Sequence, residues 1–122
     1  MIDFNNASFV KLKDSPSFAQ EVAPILVDGE RHLSAYQAIR DGVVFTDKRI
    51  IAVNVQGLTG KKRDYTSLPY SKITAFSVET AGTFDFDAEL DIWMSGVGKV
   101  RFEFAGKSNI LEIAKLISKY VL

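Results

Sequence analysis

A chain of 122 residues, 47% hydrophobic and 25% charged, has the length and composition of one globular domain able to bury a core of its own. Fifteen basic residues balance fifteen acidic ones, so the excess positive charge that phosphate neutralisation asks of a nucleic-acid binder is missing. The absence of cysteine excludes a disulfide framework, a thiolate zinc site and a cysteine nucleophile together.

Residues 1–29 read as a lead-in carrying one short helix. The start, Met1-Ile2-Asp3-Phe4-Asn5-Asn6, has neither the basic opening nor the apolar stretch of a signal peptide. Ile50-Ile51-Ala52-Val53 is far too short to span a bilayer, so the expected location is the cytoplasm. The first fourteen residues show no period and are read as irregular. Ser15 then offers a hydroxyl cap and Pro16 a helix start at which its missing N–H costs nothing. Phe18, Val22, Ile25 and Leu26 recur at helical spacing, Pro24 limits the helix, and Asp28-Gly29 ends it.

Residues 30–105 predict seven strands. Residues 30–40 alternate, and Asp41-Gly42 turns into a strand over 43–46. The polar turn Thr46-Asp47-Lys48-Arg49 leads into the most β-branched stretch of the chain, through Val55, which suits a strand covered on both faces. After the loop 56–60, a strand runs from Lys61 to Leu68, Pro69-Tyr70-Ser71 breaks it, and residues 72–80 resume. The clearest hairpin follows: Leu90, Ile92 and Met94 alternate with Glu89, Asp91 and Trp93, Gly96-Val97-Gly98 turns, and Val100, Phe102 and Phe104 alternate in turn. Opposite charges on its wet face are placed to pair across the strands. Residues 108–122 form the last helix, with Ser108-Asn109 as its cap and Ile110, Ile113, Ala114, Ile117 and Val121 as its apolar stripe. The expected fold is mainly β, seven antiparallel strands in a curved sheet or a half-open barrel whose mouth the C-terminal helix covers.

Three groups invite a chemical reading. His32, the only histidine, lies two residues from Glu30 and two from Ser34. A nucleophilic site also needs an oriented base and an oxyanion hole, and no loop here supplies them, so His32 is read as a surface or interface histidine. Asp85, Asp87, Glu89 and Asp91 alternate with apolar residues. A calcium loop of such spacing needs a glycine turn and a glutamate at its twelfth position, so this is an acidic edge able to select a basic partner. Gly57-Leu58-Thr59-Gly60-Lys61-Lys62-Arg63 has the wrong glycine spacing for a Walker loop and is followed by a strand. It is a basic turn, with contact of Lys61, Lys62 and Arg63 to anionic lipid headgroups as the alternative. No catalytic residue, cofactor or metal ligand is assigned.

Five stretches identify a relative. Residues 41–51 (Asp-Gly-Val-Val-Phe-Thr-Asp-Lys-Arg-Ile-Ile), then Gly57-Leu58-Thr59-Gly60-Lys61-Lys62, Leu68-Pro69-Tyr70-Ser71-Lys72-Ile73, residues 76–82 and residues 89–96 follow one another in this order. Together they resemble the bacterial PH-like domain family over most of residues 30–122. The resemblance implies a PH-like fold of two orthogonal antiparallel sheets closed at one corner by the terminal helix. It also implies a cyclic homo-oligomer, a five-membered ring, without enzyme activity. In such a ring the strands of neighbouring protomers meet at a hydrophilic surface that recruits an unidentified protein partner. Eukaryotic relatives bind phosphoinositides through a basic pocket between their first strands. Here the corresponding loop, Arg40-Asp41-Gly42, offers one cation and one anion, so that function is not carried over and membrane contact is not the expected mode. The expected interaction residues are Asp47, Lys48 and Arg49 of the polar turn and Asp85, Asp87 and Glu89 of the acidic edge.

Overall fold

Alternating apolar side chains can be buried on a sheet face only if something covers it, and here two different elements cover the two faces of one sheet. The computed structural model describes residues 1–5, 9–83, 86–106 and 108–122. Its strands are β1 (Lys13–Asp14), β2 (His32–Gln37), β3 (Gly42–Thr46), β4 (Arg49–Gln56), β5 (Lys62–Pro69), β6 (Ile73–Glu79), β7 (Ala88–Met94) and β8 (Gly98–Phe104), followed by helix α1 (Ile110–Val121). All seven expected strands are present as β2 to β8, and β1 is an addition from the lead-in. They form a five-stranded antiparallel sheet in the order β1-β2-β3-β4-β5 and a three-stranded one in the order β6-β7-β8, two sheets that do not close on each other.

The main core lies between the two sheets and α1. Phe45, Ile50 and Leu68 from the first sheet meet Leu90, Ile92, Phe102 and Phe104 from the second and Ile113 and Ile117 from the helix, all fully buried. Tyr36 adds edge-on contacts to Phe45 and Phe104, with ring centroids 5.9 and 5.0 Å apart. The opposite face of the first sheet is covered by a 3-10 helix over Pro16–Ile25, whose Phe18, Ala19 and Val22 pack on Ala35, Val44, Ile51 and Val53. Residues of β4 therefore alternate between two cores, which is why both of its faces read as apolar. Asn109 caps α1 through its side-chain oxygen, which accepts from the Glu112 N–H at 3.3 Å.

Two expectations about the lead-in need correction. The Ser15 hydroxyl makes no cap hydrogen bond; the Ser15 carbonyl accepts from the Phe18 N–H at 2.9 Å instead. Nor are the residues before it irregular. The Glu103 N–H donates to the Phe9 carbonyl at 2.8 Å, and the Leu12 carbonyl accepts from the Ala105 N–H at 2.8 Å, so the chain lies alongside β8. It then pairs with β2 as β1, Lys13 opposite Gln37 and Asp14 opposite Tyr36. This segment joins the two sheets. Lys11, at φ 54°, breaks the two-residue period, so the buried residues are Phe9 and Leu12, three apart. That break hides the strand from any search for alternation.

Candidate functional site

The Thr46–Arg49 turn joins β3 to β4, and its side chains point inward more than outward. Thr46 and Glu30 are buried polar residues. Arg49 grips the Glu30 carboxylate with two prongs, Nε to Oε2 at 3.0 Å and Nη2 to Oε1 at 2.9 Å. The same guanidinium donates to Ser67 Oγ on β5 at 2.9 Å and to the Ile25 carbonyl, at the end of the 3-10 helix, at 2.8 Å. The Thr46 hydroxyl donates to Glu30 at 2.7 Å and accepts from the backbone N–H groups of Lys48 and Arg49. Burial pushes the Glu30 carboxyl up, but the hydrogen bonds from Arg49, Thr46 and the Val27 N–H outweigh it and hold the group below its ordinary value. A buried carboxylate with this many donors is a structural lock. Tyr70 extends it: its hydroxyl donates to the Thr46 carbonyl at 2.8 Å while its ring stacks on Tyr120 of α1 at 5.3 Å.

Of the three turn residues singled out from sequence, Arg49 is therefore committed inside the protein. Asp47 accepts from the Arg31 N–H at 3.1 Å and steadies the turn. Lys48 alone is exposed. Nothing in the sequence identified Glu30, Thr46 and Ser67 as its companions; the four-residue Thr-x-x-Arg turn is the only local signal.

His32 is exposed at the start of β2. A bulge between His32 and Ser34 disrupts the two-residue period, and Glu30 belongs to Arg49, so no Glu-His-Ser cluster assembles.

On the outer face of the three-stranded sheet, Asp91 stands opposite Arg101. Arg101 donates Nε and Nη2 to the two Asp91 oxygens at 2.8 and 2.9 Å, and Nη1 lies 3.4 Å from Glu89. These hydrogen bonds hold the Asp91 carboxyl below its ordinary value. The guanidinium thus sits where a cation shared by Glu89 and Asp91 would go. Among the described residues no group of three or more acids or histidines is placed to hold a metal ion. Asp85 lies outside the described residues. Asp87, just before β7, and Glu89, within it, lie at a different sheet from the Asp47-Lys48-Arg49 turn, so the expected interaction residues make two surfaces and not one.

The basic turn is also divided. Arg63 donates to Glu21 on the 3-10 helix at 2.7 Å and to the Gly60 carbonyl, and its charge is held on by that carboxylate. Lys61 and Lys62 are exposed. Sequence reasoning missed a neighbour: Arg40, in the β2–β3 loop, donates Nη2 to the Gly57 carbonyl at 2.7 Å and ties the two loops together. Lys11, Lys13, Arg40 and Ile39 line a cleft of about 560 Å³ on that side. No helix among the described residues is long and apolar enough to cross a membrane.

The comparisons with known proteins agree with this architecture. The family model described as bacterial PH domain matches residues 3–121. The chain is 48% identical over 101 residues to the uncharacterized protein YjqA of Bacillus subtilis, covering 81% of each. Among solved structures it is similar to a DUF1696 family protein with a pleckstrin-homology domain from Shewanella loihica, at 44% identity and a TM-score of 0.80, covering 93% of this chain and 99% of that one. It is also similar to a pleckstrin homology domain from Shewanella amazonensis, at 47% identity and a TM-score of 0.66, covering 96% and 93%. Two open sheets with, among the described residues, eight strands, a terminal helix, and relatives of this identity over nearly the whole chain place the protein in the bacterial PH domain family.

Proposed function

We propose that the protein is a non-enzymatic, cytoplasmic interaction module that works as a cyclic homo-oligomer. The observation that carries this reading is the pair of unpartnered edges. Among the described residues no strand pairs with the outer edge of β5 or of β6, although each runs for seven or eight residues. Exposed strand edges invite another chain unless they are protected. Their residues are mostly polar, with Lys62, Thr74, Ser77 and Glu79 exposed, which suits contacts between folded protomers. Edge-to-edge contact of two different strands is head-to-tail, and it closes into a ring when the rotation per subunit divides a full turn. The polar surfaces at Lys48 and at Asp87–Glu89 are then the contact points for a protein partner. Sedimentation velocity at micromolar concentration tests the assembly. The expected species has roughly five times the 13.5 kDa chain mass, and a protein that sediments only as a monomer overturns it.

A second reading is contact with an anionic lipid surface. Arg63 is held by Glu21, which leaves Lys61 and Lys62 of the original trio. The tie between Arg40 and Gly57 favours the reading, because it brings a second basic loop beside them.

A further inference from the structure

Ile39 and Leu58 occupy the tips of the β2–β3 and β4–β5 loops. Ile39 is 95% exposed and Leu58 fully so, and among the described residues only the terminal Leu122 matches them. A single exposed aliphatic residue is ordinary. Two on adjacent loops, fixed to each other by the Arg40–Gly57 hydrogen bond, are a feature of the surface.

The charges around them are mostly positive. Lys11, Lys13 and Arg40 flank Ile39, and Lys61 and Lys62 follow the Leu58 loop, all exposed. Asp41, the carboxylate in the same loop, is turned inward, accepting from Asn54 Nδ2 at 3.0 Å and the Val55 N–H at 2.8 Å. Asp14 follows Lys13 on β1 and is exposed, one carboxylate against five cations. Glu21 is taken by Arg63, and Asp64 by the N-terminal amine at 3.1 Å. A chain of zero net charge therefore has one strongly positive end.

We propose that this end docks on an anionic bilayer, with Ile39 and Leu58 inserted below the headgroups and Lys11, Lys13, Arg40, Lys61 and Lys62 lying among them. The proposal rests on the lipid reading above and adds the anchors and the orientation. Protruding aliphatic tips need a cavity in a rigid partner but none in a bilayer, which yields to them. Neither loop tip carries an aromatic side chain on which a nucleobase could stack. The surface needs no headgroup pocket, so it selects lipid charge and not a headgroup structure.

Removing one such side chain from water favours the bound state by roughly tenfold to a hundredfold. Each lysine at an anionic surface adds about fivefold, an amount that salt diminishes. The experiment is flotation of the full chain with phosphatidylcholine vesicles, with and without phosphatidylglycerol, at low and high salt. The wild type is expected to float only with the anionic vesicles and to come off as salt rises. Ile39→Ser with Leu58→Ser leaves the charge unchanged and is expected to weaken binding at least tenfold. Lys61→Gln with Lys62→Gln is expected to weaken it and flatten its salt dependence. Leu58→Trp in a Trp93→Phe background, with or without Ile39→Ser, reports insertion directly as a blue shift of emission on adding anionic vesicles. No binding to anionic vesicles overturns the lipid reading and this proposal with it. Binding at wild-type strength by the double serine variant leaves the lipid reading standing and overturns insertion. Equally tight binding to polyglutamate, unaffected by the serine changes, overturns it in favour of an acidic protein partner.

Discussion

At the scale of single residues, the decisive contact is the fork of Arg49 on Glu30. A buried ion pair is weak evidence of net stability, but removing one member leaves the other charge without compensation. Arg49→Met is therefore expected to lower the unfolding free energy by about 3–5 kcal/mol, read from urea denaturation midpoints. The double change Glu30→Leu with Arg49→Met should recover much of that loss; a single variant that unfolds at the wild-type midpoint would show the lock to be irrelevant. The pH dependence follows from the same group. Burial raises the Glu30 carboxyl, but its hydrogen-bond donors together outweigh that effect, so its folded value lies below the ordinary 4.5. A depressed carboxyl stabilises the folded state fully above its unfolded value, and the contribution is lost as pH falls through the folded one. Asp91, held down by Arg101, acts in the same direction. The melting temperature is thus expected to drop once the pH goes below the ordinary Glu30 value, and to drop less in Glu30→Gln. Equal acid sensitivity of the two proteins would remove Glu30 from the explanation.

At the scale of elements, the 3-10 helix Pro16–Ile25 is seated by a glycine. A Cβ on Gly42 would come within 2.4 Å of the Phe18 ring and 2.5 Å of the Tyr36 carbonyl oxygen. Gly42→Ala must push the helix off the sheet or bend β3, at an expected cost of about 1–3 kcal/mol. Amide hydrogen exchange over residues 16–25 distinguishes this from a general loss of stability, because the displaced helix should exchange before the main core does. Unchanged protection there would mean that the seat adapts. The helix itself was legible from Pro16 and the spacing of Phe18 and Val22, and so was α1 with its Asn109 cap. The segment that joins the sheets was not, because Lys11 takes a left-handed backbone conformation in the middle of it.

At the scale of the molecule, two open sheets leave edges at β5 and β6, while the N-terminal segment closes the corner between β8 and β2. The proposed ring edges and the proposed bilayer face share only Lys62, at the start of β5. In a cyclic assembly equivalent loops share one height along the axis, so several copies of Ile39 and Leu58 would reach one flat surface together. Binding through linked sites raises apparent affinity without any new contact. A ring would therefore hold vesicles more tightly than one protomer does.

Alternation, turn residues and helix caps are local, and they were enough to specify seven strands, the terminal helix and, through the ordered motifs, the family. The commitments of the charged side chains are not local. Arg49 reaches Glu30 nineteen residues away, Arg40 reaches Gly57 across seventeen, and Arg63 reaches Glu21 across forty-two. Which cation is locked inside, which staples a loop and which faces water depends on the distance between groups after the chain has folded. Periodicity carries no information about that distance, and so only the assembled sheets separate Arg49 and Arg63 from Lys48, Lys61 and Lys62.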